Sequence, residues 1–264
     1  MEFQKKKKRE ILDWISPINS HAQQRSLQNK RQQGTGQWLL DCVEFRSWLS
    51  SKGDALLCYG IPGAGKTTLT SLVVDYLDQH SQHHTNIGLA YLYCDYQRRD
   101  EQECDELLAS LLKQLSLVPN CIPSHVKNLY DRHEILQSRP STDELENALV
   151  AIVAHCSRAF IVVDALDECS DTTRARLVST LHSLQTRCGV NVLATSCSLE
   201  TEVYFERCVP LAIRARDADV SQYLKANIGT WRNFVSQNQE LQDKAQAAII
   251  KAIDGMYVAT LPCE

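Results

Sequence analysis

The sequence predicts an α/β fold, a parallel sheet flanked by helices, with a helical lead-in before it and further helices after it. Three observations predict this. Short, nearly unbroken apolar runs recur at Ala55 to Tyr59, Ile87 to Tyr93, Ala159 to Val163 and Val190 to Ala194, as strands buried on both faces require. Stretches with apolar residues at helical spacing lie between them. A glycine-rich turn joins the first run to the first of these helices. Strands alternating with amphipathic helices imply parallel pairing with both sheet faces covered.

The elements follow in order. Residues 1–50 form the lead-in: Ile11, Trp14 and Ile15 make a helical apolar stripe that stops near Pro17. Gly34 to Trp38 reads as a turn, followed by one helix through Phe45, Trp48 and Leu49 that Lys52-Gly53-Asp54 breaks. Residues 51–213 hold the alternating units. After the first strand, Lys66 to His80 is a helix with Leu69, Leu72, Val73, Tyr76 and Leu77 on one side. Asp100 with Glu103 predicts a capping box for a helix carrying Leu107, Leu108, Leu111, Leu112 and Leu115, with Pro119 beyond its end. Ser141 with Glu144 repeats the signal before Leu145, Leu149 and Ile152. Thr172 to Arg187 is a helix, and Cys208 to Ala212 is a candidate fifth strand. Residues 214–264 begin a helical region, with one helix through Val220 and Tyr223 and another through Leu241, Ala245, Ile249, Ala252 and Ile253.

Bulk properties exclude several classes. The 264 residues suffice for one domain with a sizeable core. A net charge of −4 gives no electrostatic footprint for nucleic acid, so none is expected as a partner. No apolar run approaches the length of a bilayer span, and no apolar segment follows the Lys5 to Arg9 basic run, so neither a membrane partner nor a signal peptide is expected. The eleven cysteines show no Cys-x-x-Cys spacing and read as free thiols of a cytoplasmic protein. His80, His83 and His84 have helical spacing but no fitting carboxylate or cysteine beside them, so they read as a solvated helix end. The basic run reads likewise as a solvated helix start.

The chemistry concentrates in two places. Gly60-Ile61-Pro62-Gly63-Ala64-Gly65-Lys66-Thr67 matches G-x-x-x-x-G-K-[ST], with a strand before it and a helix after it. Glycines let the backbone wrap a polyphosphate, the helix start adds partial positive charge, and Lys66 adds a full one. Thr67 offers its hydroxyl to Mg²⁺, and Thr68 continues the loop into the helix. The second place is the end of the third strand, Phe160-Ile161-Val162-Val163-Asp164, followed by Ala165-Leu166-Asp167-Glu168. A carboxylate such as Asp164 at that strand end holds Mg²⁺ in phosphate-loop enzymes. Asp167 or Glu168, with Glu168 preferred, is then the group that polarises an attacking water, and Lys66 acts with it on the phosphates. One strand lies between the two motifs in sequence, which points to P-loop NTPases with an extra strand between the functional two. Val192 to Ser196 ends in hydroxyls, and Thr195 or Ser196 is a candidate γ-phosphate sensor.

With these motifs in place, the chain resembles the NACHT family of STAND NTPases, in the fungal form with a nephrocystin-3-like N-terminal domain. The resemblance rests on Ile11 to Pro17, Gly34 to Leu40, Phe45 to Leu49, the phosphate loop, Ala90 to Tyr96, Val163 to Glu168 and Asp254-Gly255-Met256-Tyr257. It implies an ASCE-type P-loop domain that binds ATP or ADP with Mg²⁺ and changes state with nucleotide. It implies that Gly34, Thr35 and Trp38 help hold the adenine. It also implies self-association or partnership with other NACHT-type chains, and a role in fungal self/non-self recognition. Two departures stand out. Cys197 takes the place of the family's usual arginine, which would weaken hydrolysis more than binding. The sequence stops at Glu264, ahead of the winged-helix segment and repeats expected of the family, as a fragment, a truncated gene product or a degenerate copy would. The expected activity is a slow nucleotide switch, with a non-catalytic nucleotide-binding or assembly module as the alternative. A small-molecule kinase lacks its acceptor and lid signatures here, and a GTPase lacks its Asn/Thr-Lys-x-Asp signature.

Overall fold

The structure is a computed structural model that describes residues 2–82, 86–99, 101–117, 123–198, 205–228 and 238–253. His83, His84, Asp100, Pro119 and the Asp254 to Tyr257 stretch lie outside the described residues. The lead-in forms α1 (Glu2–Ile15), α2 (Ser20–Lys30), α3 (Gln37–Asp41) and α4 (Val43–Ser50). Then come β1 (Ala55–Tyr59), α5 (Lys66–Gln82), β2 (Ile87–Tyr93), α6 (Cys104–Leu115), α7 (Ser124–Leu136) and α8 (Thr142–Val153). β3 (Arg158–Asp164), α9 (Asp171–Cys188), β4 (Asn191–Ser196), β5 (Cys208–Ala212), α10 (Asp217–Ala226) and α11 (Gln239–Ile253) follow.

The five strands form one parallel sheet in the order β2-β3-β4-β1-β5. β4 therefore stands between the phosphate-loop strand and the strand ending in Asp164, as the motif spacing predicted. Register brings the strand ends to one edge: Tyr59 pairs with Ser196, and Asp164 with Tyr93.

Alternation along the strands splits the core in two. Ala55, Leu57, Ile161 and Val163 face a cluster built with Ile11, Leu12 and Ile15 of α1 and the leucines of α6, α8 and α9. Leu56, Cys58, Phe160 and Val162 face Leu39, Phe45, Trp48, Leu69, Val73 and Leu77 on α3, α4 and α5. Helices thus cover both faces, which is why the strands carry no polar alternation.

β2 is an edge strand, and two glutamines satisfy its free backbone groups. Gln114 Oε1 accepts from Tyr91 N (3.0 Å) while its Nε2 donates to Tyr91 O (2.8 Å). Gln102 does the same one step along, accepting from Asp95 N (2.9 Å) and donating to Tyr93 O (3.3 Å). Side-chain amides stand in for a sixth strand and close an edge that is otherwise open to further pairing. β5, the other edge, carries Pro210, a residue tolerated where no ladder donor is required.

Local structure departs from the sequence reading in three places. The helix expected after the Gly34 to Trp38 turn, through Leu49, starts earlier, at Gln37, and is interrupted at Cys42, whose backbone is extended and whose sulfur accepts from Phe45 N (3.4 Å), capping α4. The expected Asp100/Glu103 capping box is replaced by Glu103 itself at the cap of α6, without a side-chain bond. The polar stretch Ser124–Leu136, assigned no element from sequence, is helical because Val126, Leu129 and Tyr130 bury one face against α1 and α8. The Ser141/Glu144 capping box forms as expected. Among the described residues no group of three or more His, Cys, Asp or Glu is placed to hold a metal, and no helix is long and apolar enough to cross a membrane. His80 stacks on Tyr76.

Candidate functional site

The site is built at the carboxyl edge of the sheet, where parallel strands deliver their last residues together. β1 ends at Tyr59, and the chain turns through Gly60 to Gly65 into α5. Gly63 and Gly65 have φ of 78° and 88°, a region that disfavours side chains. Gly60 is needed for a different reason, because a Cβ there would lie 2.4 Å from the carbonyl oxygen of Ile213. The loop is pinned to the sheet by Gly60 N, which donates to Ser196 O (3.1 Å), and closed on itself by Ala64 N, which donates to Ile61 O (3.1 Å). Ala64 is buried, whereas Ile61, Pro62, Thr67 and Thr68 are exposed along the rim.

Lys66 is 9% exposed and starts α5, where helix amides concentrate positive potential. Its ammonium donates to Gly60 O (2.6 Å), Ile61 O (3.1 Å) and Cys197 Sγ (3.2 Å). All three donors are met by neutral acceptors, which a phosphate oxygen can replace with a stronger, charged one.

Asp164 is fully buried at the end of β3. Its Oδ1 accepts from Thr70 Oγ1 (2.8 Å) and Thr195 Oγ1 (2.7 Å), and the nearby Thr67 hydroxyl helps stabilise the charged carboxylate. Burial raises its pKa, opposed by the three hydroxyls and by the charge of Lys66. The donors matter because a buried carboxylate without them protonates instead of carrying charge. Ala165 follows with φ of 52°, unusual for a side-chain-bearing residue, and its N–H donates to Thr195 Oγ1 (2.8 Å). Thr195 thus orients the carboxylate and holds the bend behind it, and Ser196 Oγ accepts from Ser198 N (3.1 Å). Both hydroxyls expected to sense phosphate are buried and engaged in this way, and the side chain that faces Lys66 from this strand end is Cys197.

The acidic turn Leu166–Glu168 sits beside them. Glu168 Oε2 accepts from Tyr96 N (2.9 Å), and its pKa is raised, chiefly by burial and further by Asp167, Asp164 and Asp95. Asp167 lies beside the Cys197 thiol, and among the described residues its buried Oδ1 has no hydrogen-bond partner. The Cys197 thiol is held above its usual pKa by burial, with Asp167 raising it further and Lys66 lowering it. Lys66, Thr67, Asp164, Asp167 and Cys197 therefore form a connected set. The hydroxyls and carboxylate around Asp164, with the orphaned Asp167 oxygen nearby, are the hard oxygen chemistry of Mg²⁺, so Thr67 and Asp164 fit that ion.

The Gly34 to Trp38 segment packs one turn along α5. A Cβ on Gly36 would lie 2.7 Å from Leu69 Cδ2, and Gly34 and Gly36 both have positive φ. Gly36 N donates to Asp219 Oδ2 (3.0 Å), and Gln222 Nε2 donates to Gln33 O (2.7 Å), so α10 is tied to this segment. Thr35 Oγ1 donates to Gln32 O (2.8 Å). The Arg216 guanidinium lies 4.0 Å from the centre of the Trp38 ring, and the buried indole N–H has no partner among the described residues. Sequence reasoning missed Thr70, Tyr96, Arg216 and Asp219. Thr70, three residues after Thr67 on one helix face, carried a readable signal, whereas the others are placed by contacts across the fold.

A parallel sheet in this order, with a glycine loop feeding a helix and a carboxylate two strands away, defines an ASCE-type P-loop NTPase fold. Solved structures carry the same architecture. The Aeropyrum pernix ORC1 protein in complex with DNA matches at TM-score 0.50 and 15% identity, over 94% of this chain and 60% of that one. The Walker-type ATPase of Pyrococcus abyssi matches at 0.50 and 12%, over 81% and 62%. Drosophila ORC bound to DNA matches at 0.49 and 15%, over 82% and 55%. The chain spans less than two thirds of each, and at these identities the likeness to the two archaeal proteins is one of fold. No curated protein sequence matches the chain. The chain belongs to the nephrocystin 3, N-terminal family, whose sequence profile matches residues 34–197.

Proposed function

We propose that the chain binds ATP or ADP with Mg²⁺ and works as a NACHT-type signalling switch with slow hydrolysis. The observation that carries this reading is the placement of Lys66 within a glycine-lined loop, with Thr67 beside the buried Asp164 that Thr70 and Thr195 hold. The loop amides and Lys66 take the β- and γ-phosphates, with Lys66 exchanging its carbonyl and thiol acceptors for phosphate oxygens. Thr67 and Asp164 hold the ion, which when bound neutralises phosphate charge. Glu168 accepts the proton of the attacking water, and its raised pKa brings it nearer the range where a base is effective at neutral pH. Asp167 is the second carboxylate available for that task.

Gly34, Thr35 and Trp38 hold the adenine, and the Gly36–Asp219 bond connects that segment to α10. Nucleotide state reaches the C-terminal helices by this route. The partners are further copies of the chain or other NACHT-type chains, in a cytoplasmic role akin to fungal self/non-self recognition. Neither nucleic acid nor membrane is part of this reading.

A second reading, a module that binds nucleotide without turning it over, is favoured by Cys197, since a thiol cannot stabilise transferring phosphate as a guanidinium does. Calorimetric titration with Mg-ATP and Mg-ADP, alongside phosphate release at millimolar Mg-ATP, separates the two. Turnover that disappears in Glu168→Gln while affinity survives supports the switch. Affinity without turnover in the parent supports the binding module. Absence of any affinity that Lys66→Ala abolishes removes both.

A further inference from the structure

Cys94 follows β2, and Cys169 follows the acidic turn, 75 residues later. Their sulfurs lie 3.1 Å apart in hydrogen-bond contact, and the residues are 6% and 1% exposed. Neither thiol has a task in the nucleotide chemistry, yet the pair bridges the two segments that frame it. Cys94 N donates to Asp164 O (3.1 Å), and Cys169 is bonded directly to Glu168. A disulfide needs sulfurs about 2.05 Å apart, so a closing motion of about 1 Å suffices, within reach of small side-chain rotations.

We propose that Cys94 and Cys169 form a redox modification site, in which a small peroxide converts the dithiol to an intramolecular disulfide that staples the end of β2 to the acidic turn. This goes beyond the nucleotide reading and does not rest on it.

The step balances. The Cys169 thiolate attacks one peroxide oxygen, the O–O bond breaks, and the departing oxygen leaves as water with the proton of that thiol. The resulting sulfenic sulfur is attacked by Cys94, the S–O bond breaks as the S–S bond forms, and the second oxygen leaves as water with the Cys94 proton. Two electrons pass from the sulfurs to hydrogen peroxide, giving a disulfide and two waters. Cys169 attacks first because the hydrogen bond it shares with Cys94 and the charge of Arg174 hold its thiol below its usual pKa. Burial selects the oxidant, since hydrogen peroxide can reach sulfurs that a bulky disulfide such as oxidised glutathione cannot.

The test uses the unaltered chain. Exposed thiols such as Cys197 are blocked with a maleimide, the protein is treated with hydrogen peroxide, and peptides are mapped by mass spectrometry without reduction. The expected result is a cross-linked pair containing Cys94 and Cys169, lighter than its parts by two hydrogens and separated by dithiothreitol, with oxidised glutathione giving none. Recovery of both cysteines as free thiols, or of Cys169 as sulfinic acid with no cross-link, overturns the proposal. As a second measurement, Cys94→Ser treated with peroxide and dimedone should carry the sulfenic adduct on Cys169, and its melting temperature should not rise on oxidation as the parent's does. An unlabelled Cys169 in that folded variant counts against the order of attack and overturns it. The cross-link is read without nucleotide, so a failure of nucleotide binding leaves this result standing, and the reverse holds too.

Discussion

The ammonium of Lys66 and the sulfur of Cys197 lie 3.2 Å apart, the first at the start of the helix that the loop after β1 feeds, the second just beyond the end of the adjacent parallel strand β4. On the far side the thiol meets Asp167, and partial desolvation of its sulfur, on a residue otherwise open to solvent, pushes its pKa up. A neutral group therefore stands between a cation and a carboxylate, where a second cation would strengthen the hold on phosphate.

Cys197→Arg is expected to raise phosphate release by at least about tenfold, below the roughly hundredfold or more that a well-positioned charge contributes in phosphoryl transfer because the new side chain lacks a tailored setting. The guanidinium has the unpaired Asp167 Oδ1 as a ready acceptor, which offsets its repulsion from Lys66. The rate is measured at saturating Mg-ATP, and a rate equal to the parent's refutes this account of the position.

Thr195→Val keeps the shape of the side chain but removes the hydroxyl that serves both Asp164 Oδ1 and Ala165 N. Leaving a buried carboxylate and an N–H short of partners should cost about 1–3 kcal/mol in urea unfolding. The same variant should need more Mg²⁺ to reach half-maximal nucleotide binding. If both quantities stay at parental values, Thr195 does not orient the carboxylate.

Glu168 supplies a pH dependence whose sign follows from its raised pKa. The folded state holds this proton more tightly than the unfolded chain, so the side chain's contribution is most favourable at acid pH. It declines as pH rises from the ordinary glutamate value through the folded one. Glu168→Gln removes that decline. The unfolding midpoint of the variant should therefore gain on the parent's as pH increases across this window, and a constant difference between them counts against the burial effect.

Gln114→Ala removes both hydrogen bonds to Tyr91 at the sheet edge. A loss of about 1–3 kcal/mol is expected in denaturant melts. Light scattering should reveal more association, since the backbone of β2 becomes available for pairing with another chain. Unchanged stability and unchanged scattering would mean that the glutamine does not protect the edge.

Much of this molecule was legible in its residues because the physics involved is local. Strands sandwiched between helices must be apolar throughout, so Leu56 to Cys58 and Phe160 to Val163 announced themselves. A phosphate loop must have glycines where φ is positive or backbones approach closely, so Gly60, Gly63 and Gly65 did too. The extra strand between the two motifs followed from their order along the chain. What the tertiary structure decided is which groups meet. Gln102 and Gln114 look like ordinary polar residues of a loop and a helix until the fold sets them against β2. Thr195 and Cys197 are two residues apart, yet one turns inward to Asp164 and the other faces Lys66. The Cys94–Cys169 pair and the Gly36–Asp219 bond span 75 and 183 residues. Periodicity and backbone conformation are properties of neighbouring residues, whereas a hydrogen-bond partner is chosen only when parallel crossovers bring distant strand ends to one edge of the sheet.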